Sequence, residues 1–167
     1  MSSTATTKGS AVLALPSDTE ILITREFNAP RHLVYRVLTE PELIKRWWGG
    51  QRGTVTSAEV DLRVGGTWRY VMVANKGFEV AFHGEYREVT PDERLVCTEI
   101  FEGMPEGDSP PTVNTYTFTE HDGRTTLEVL TACDSKETRD AIIDSGMESG
   151  MQESYDAAEE LAVELAH

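Results

Sequence analysis

Cysteine is scarce in this chain: two residues in 167, Cys97 and Cys133. They form no CxxC pair and the four histidines are scattered, so no set of about four zinc ligands assembles from spacing. Each cysteine falls in a predicted strand, where a small buried hydrophobe is the ordinary reading; a disulfide is disfavoured in a reducing compartment. Positive charge is scarce too. Lys plus Arg number 15 against 29 Asp plus Glu, a formal net charge of −14. Such a field repels phosphate backbones and argues against nucleic acid as a partner. No apolar run approaches the roughly 20 residues of a membrane span. Ala11 to Leu15 is too short for a secretory core, so a cytoplasmic protein is expected. Also missing are the GxSxG, Walker and dinucleotide signatures; VGGTW at 64–68 reads as a hairpin turn. No cofactor and no metal are expected.

What is present is a long amphipathic ending. From Asp134 onward, Met147, Met151, Tyr155, Ala158, Ala162 and Leu165 recur at steps of three and four, which puts them on one helical stripe. The opposite face carries Glu148, Glu153, Asp156, Glu159, Glu160 and Glu164. This face is either simply solvated or a docking face for a basic partner. The segment reads as one helix or two in tandem. Gly146 and Gly150 cost helix stability, which close packing or a kink would explain.

The rest reads as one domain over 19–167, preceded by a flexible Ser/Thr-rich arm over 1–18 whose Val12, Leu13 and Leu15 could dock on the body or bridge a homodimer. Glu20 to Phe27 is a first strand. Asn28 can cap a helix that carries Leu33, Val34, Val37 and Leu38 on one side. Thr39 is placed to end that helix and to cap a second, Glu42 to Trp48, with Pro41 in its first turn. Six strands then follow between Thr54 and Thr131, separated by GG, NKG, PD and DG turns and by one long Gly/Pro loop, Glu102 to Pro111. The expected class is α+β: an antiparallel sheet of about seven strands, order β-α-α-β6-α, closed by the C-terminal helix.

Charged residues set strand parity. With Arg69, Glu85 and Arg87 in water, Trp68, Tyr70, Met72, Phe82, Gly84 and Tyr86 face the helix. Gly84 removes bulk where a sheet can bend. In Arg94 to Phe101 two sets compete, and the set with Leu95, Cys97, Glu99 and Phe101 is the preferred inner one. These rings either pack only against Met147, Met151 and Tyr155, or line a cavity. Glu99 is either a solvated or Arg-paired strand-end carboxylate, or a buried one able to accept a ligand hydroxyl or act as a general base. Trp47 and Trp48 point about 100° apart on a helix, so one seals the core and Trp48 stands at the pocket mouth, or both only pack. His32, His83, His121 and His167 read as surface residues.

The runs ITREFNAPRHLVYRVLTEPELIKRWWG, VGGTWRYVM, FHGEYREVTPDERLVCTE and GMESGMQESYDAAEEL, in this order, resemble the START-like (SRPBCC, helix-grip) superfamily. Within it the chain is most similar to the heat-shock protein 90 ATPase activator homologue-like family, over about Thr19 to Leu165. The resemblance implies a sheet gripping the C-terminal helix, and binding of a small apolar or aromatic molecule between them. Superfamily relatives include lipid carriers, hormone binders and polyketide cyclases. The expected ligand-binding set is Trp48, Trp68, Tyr70, Met72, Phe82, Tyr86, Glu99, Met147, Met151 and Tyr155. Non-enzymatic binding is the preferred function. A cyclase or hydrolase using Glu99, or Tyr86, as acid or base is one alternative; a chaperone partner using the acidic helix face is the other.

Overall fold

The computed structural model describes residues 9–50, 52–102 and 110–167. The strands are β1 (Val12–Ala14), β2 (Glu20–Phe27), β3 (Gly53–Val60), β4 (Thr67–Ala74), β5 (Glu79–Thr90), β6 (Arg94–Phe101), β7 (Thr112–His121) and β8 (Arg124–Ala132). The helices are α1 (Arg31–Thr39), α2 (Pro41–Trp47), α3 (Lys136–Asp144) and α4 (Met147–Leu165). All eight strands join one antiparallel sheet in the order β1-β2-β8-β7-β6-β5-β4-β3. From β3 the chain walks strand by strand to β8, which then pairs with β2. The α1–α2 pair therefore carries the chain from β2 to the far edge at β3.

The fold is the expected α+β helix grip, with one strand more than the sequence reading gives. Val12 and Leu13 do dock on the body, and they do so as edge strand β1, with Val12 opposite Thr24 and Leu13 opposite Ile23. The expected flexibility of residues 1–8, and the loop over 103–109, lie outside the described residues. The terminal segment is two helices. Gly146 sits between them at φ 82°, a left-handed conformation that favours glycine. Gly150 needs no such explanation: a methyl there would meet only the Arg52 side chain, at ordinary contact distance.

Turn chemistry explains the hairpins. Asp122 and Gly123 both have positive φ, 51° and 76°, as a two-residue type I′ turn requires between His121 and Arg124. The expected helix caps do not form. Asn28 Oδ1 accepts from Arg124 instead, and the first turn of α1 receives the Glu120 carboxylate, 2.9 Å from the Arg31 N–H. Thr39 Oγ1 donates back to the Tyr35 carbonyl at 2.7 Å, so its hydroxyl is not free for α2.

The C-terminal half of α4 is packed hard. Ala158 and Ala162 are fully buried, which lets the helix approach the sheet and α1–α2 closely. Tyr155 stands edge-on to Phe27 with centroids 6.0 Å apart and stacks on Trp47 at 6.3 Å. The Trp47 indole N–H donates to the Val37 carbonyl at 2.7 Å, which ties α2 to α1.

Arg25 fixes α4 to the sheet. The alternation that buries Ile21, Ile23 and Phe27 puts Arg25 on the same inner face, 1 % exposed. Its guanidinium reaches Asp156 at 2.6 Å and Glu159 at 3.0 Å, and lies 5.1 Å from the centre of the Phe27 ring. The Asn28 N–H donates to Glu159 at 2.7 Å, and the Gly9 N–H to Asp156 at 2.8 Å. Gln152 holds the Ala11 N–H and carbonyl at 3.0 and 2.7 Å. Removing one partner of such a set strands buried charge. Arg25→Ala is therefore expected to lower unfolding free energy by about 3–5 kcal/mol, measured by urea denaturation. A loss below about 1 kcal/mol, the range of a surface ion pair, would show that the clamp does not hold the helix.

Candidate functional site

The N-terminal half of α4 and the end of α3 stand off from the sheet. Between them lies a cavity of about 710 Å³, inside the range of about 300–1,000 Å³ typical of small-molecule sites. Its floor comes from alternate residues of six strands, with Ile21 and Ile23 supplied by β2. β4 gives Trp68 and Tyr70, β5 gives Phe82 and Tyr86, and β6 gives Leu95, Cys97, Glu99 and Phe101. β7 adds Thr112, Asn114 and Tyr116, and β8 adds Val129 and Thr131. The roof is Ala141, Ile142, Met147, Met151 and Tyr155, with Trp48 at the side. On β6, then, Leu95, Cys97, Glu99 and Phe101 form the inner set. A second recess, lined by Arg31, Glu88, Glu93, Arg94 and Glu120, is a charged surface groove.

Of the ten residues expected to form the site, the structure brings Trp48, Trp68, Tyr70, Phe82, Tyr86, Glu99, Met147, Met151 and Tyr155 around this cavity. Met72 is not among them. It has the right strand parity, but its thioether packs against Gly49 and Gly53, where any side chain would collide with it. Ala162 and Leu165 pack without reaching the cavity. Both adjacent tryptophans reach the cavity, Trp47 as the last residue of α2 and Trp48 as its extended C-cap, but they differ in burial. Trp47 is buried in the core, whereas Trp48 is half-buried and meets Tyr70 and Phe82 edge-on at 5.5 and 5.6 Å. His83 lies outside the cavity wall and contacts Glu102 at 2.7 Å.

Gly84 has a local task. It lies opposite Trp68 in the β4–β5 pair, and a Cβ there would fall 2.6 Å from the indole nitrogen and collide with the Thr98 carbonyl. Its bare backbone lets the Trp68 N–H lie across it and donate to that carbonyl at 3.2 Å.

Besides the tyrosine, serine and Thr112 hydroxyls, the polar part of the cavity wall is one relay that was not legible as a set. The Thr131 hydroxyl donates to Asn114 Oδ1 at 2.8 Å, and Asn114 Nδ2 donates to Glu99 Oε1 at 3.0 Å. Register places the three together: Thr131 is paired with Asn114, and Asn114 with Cys97, two residues from Glu99. Burial pushes the Glu99 carboxyl above its usual range, and the Asn114 hydrogen bond pulls it partly back. Burial, and to a lesser extent the nearby Glu99 charge, raises the phenols of Tyr70, Tyr116 and Tyr155. The Tyr70 and Tyr86 hydroxyls hydrogen-bond to one another. Burial also pushes the Cys97 thiol up to about 12, so it is protonated at neutral pH and a poor nucleophile. Cys97 and Cys133 are both free thiols. Among the described residues, no group of three or more His, Cys, Asp or Glu side chains could hold a metal ion. Nor is any helix long and apolar enough to cross a membrane.

A curved antiparallel sheet gripping a C-terminal helix over an internal cavity defines the helix-grip class. The chain belongs to the Activator of Hsp90 ATPase homolog 1-like protein family, whose model matches residues 28–162. Solved structures agree. A Rhodobacter sphaeroides protein is 25 % identical with a TM-score of 0.83, over 94 % of this chain and 98 % of its own. A Mycobacterium smegmatis protein is 26 % identical with a TM-score of 0.80, over 90 % and 96 %. One from Nitrosomonas europaea is 25 % identical with a TM-score of 0.79, over 92 % and 100 %. No curated protein matches the chain.

Two outcomes are expected from this geometry. Gly84→Ala should cost about 1–3 kcal/mol through overpacking and shift the tryptophan emission, because Trp68 must leave its place; unchanged emission would remove that assignment. Glu99→Gln should be at least as stable as the parent protein at neutral pH. The folded-state carboxyl is raised, so its favourable contribution is complete below the unfolded carboxylate value of about 4.3 and is lost as pH rises through the folded value. The gap between the two proteins should therefore close as pH falls towards 4. Thermal melting from about pH 4 to 8 measures it.

Proposed function

We infer that this protein binds a small, largely hydrophobic or aromatic molecule between α4 and the sheet, without chemical turnover. The observation that carries this reading is the cavity itself: about 710 Å³ of space walled by rings, thioethers and aliphatic groups inside an otherwise packed domain. A concave wall of this size and composition gains more dispersion contact from a ligand that fits it than from water. Met147 and Met151 suit a roof that must adapt to a ligand's shape. The non-enzymatic reading is supported by the chemistry of the wall. Among the described residues that line it, the one cysteine is held protonated, the phenols are raised, and there is no histidine, lysine or arginine. A lone carboxyl is a poor basis for a hydrolase or cyclase, which needs a partner group to stabilise developing charge.

A panel of flavonoids, aromatic polyketides and fatty acids should contain at least one compound that raises the melting temperature. At about 100 times Kd the gain is about 2.7 kcal/mol. Met151→Trp, which fills the roof side of the cavity, should abolish that gain while leaving the unliganded protein folded. A flat response across the panel would remove the cavity reading, and an undiminished response in Met151→Trp would move the site elsewhere.

A further inference from the structure

The character of the cavity wall narrows the class of ligand. Among the described residues that line it, Glu99 is the only one with a charged side chain. Its carboxylate is presented, not hidden. Asn114 Nδ2 holds Oε1, Thr131 fixes the direction of the Asn114 amide, and no described residue donates a hydrogen bond to Oε2. A carboxylate on a mostly apolar wall, with one oxygen lacking a donor among the described residues, is expensive unless something brings donors and a counter-charge. No described residue of the wall supplies that counter-charge. The nearest candidate from the clamp, Arg25, is fully buried and committed to Asp156 and Glu159.

We propose that the ligand is a cationic amine on an apolar or aromatic body, selected by Glu99. The ammonium supplies in one group both the donor that Oε2 lacks and the charge that keeps the carboxyl ionised, and charge-assisted bonds of this kind are the strong ones. The rings beside it contribute in the same sense. Tyr70, Tyr116 and Tyr155 line the cavity together with Glu99, and the Trp68 ring lies tilted against Tyr70 with centroids 4.7 Å apart. Aromatic faces attract a cation through their quadrupoles, most strongly when both are desolvated. Carboxylate or phosphate ligands meet the opposite situation: no cation in the wall, one fixed negative charge, and low local dielectric to magnify the repulsion. The wall thus disfavours an anionic headgroup, and of the panel above the neutral aromatic compounds, rather than the fatty acids, are the ones expected to bind.

This inference rests on the cavity reading, and one set of probes separates the two. Naphthylethylamine, naphthylethanol, ethylnaphthalene and naphthylacetate share a body and differ only in headgroup. Their affinities for the full chain at neutral pH, by calorimetry or quenching of tryptophan fluorescence, should favour the amine over each of the others by about tenfold or more, the worth of a hydrogen bond to a charged group. Glu99→Gln should erase that preference, bringing the amine to about the affinity of the alcohol. If ethylnaphthalene binds and the amine has no advantage over the alcohol or the carboxylate, the amine assignment falls and the cavity reading stands. A preference that survives in Glu99→Gln overturns the role of Glu99. If none of the four binds, both readings fall. The comparison among probes on the unaltered protein decides the ligand class even if the variant does not fold.

Discussion

Everything in this molecule depends on how α4 is held off the sheet on one half while being clamped on the other. A purely apolar helix stripe has no reason to stop short of full contact, because burial is non-directional and rewards collapse. The Arg25 cluster is directional. The guanidinium joins Asp156 and Glu159 from β2, and the Asn28 and Gly9 N–H groups complete the acceptors, so rotation and depth of the helix are both fixed at that level. At the clamp and one turn beyond it, Ala158 and Ala162 allow close approach; on the other side of the clamp, Met147 and Met151 line the cavity. Tyr155, wedged between Phe27 and Trp47, marks the boundary. A buried ion cluster of this kind is weak support for net stability, because desolvation offsets most of its Coulomb energy. We read its contribution as orientation.

The same logic of desolvation governs the cavity. Several polar groups of its wall satisfy one another: Thr131 to Asn114, Asn114 to Glu99, Tyr70 with Tyr86. The relay crosses three adjacent strands, β8, β7 and β6, so its geometry is fixed by the sheet rather than by loops. That is a rigid base for presenting a single carboxylate. The opposite wall is adaptable, being made of two methionines on a helix that begins at a left-handed glycine. One rigid, polar side and one soft, apolar side is an arrangement for fixing a headgroup while tolerating variation in the body.

Much of this was legible in the chain. Period-two alternation placed Trp68, Tyr70, Phe82 and Tyr86 on one face, and the three-four repeat placed Met147 and Met151 opposite. Local pattern failed where tertiary register decides. Asn114 and Thr131 carry no local signal for a relay; only the pairing of β6, β7 and β8 brings them to Glu99. Met72 had the correct parity, yet the turn after α2 folds Gly49 onto it and takes it out of the cavity. Arg25 was the avoidable miss. The alternation of Ile21, Ile23 and Phe27 already put it inside, but a buried arginine becomes credible only once two carboxylates are known to reach it. The caps failed for a similar reason: Glu120 arrives at α1 from a strand about ninety residues away, and no local motif announces it.

The acidic face of α4 changes meaning in the same way. Read along the sequence, its six acids form one surface for a basic partner, and membership of a family named for a chaperone activator makes that reading attractive. In the fold, Asp156 and Glu159 turn inward to Arg25, Glu153 pairs with Arg52, and Glu164 with Arg46. Of the six, Glu148 and Glu160 have no ion-pair partner among the described residues, and two separated carboxylates make a thin docking field once salt screens them. The pairs with Arg46 and Arg52 are exposed and individually weak, but they bind α4 to α2 and to the start of β3, flanking Trp48 at the cavity's side. Fold membership by itself assigns no activity. On this chain the negative charge of the helix is spent chiefly on holding the grip together, and the carboxylate left for another molecule is the one inside it, Glu99.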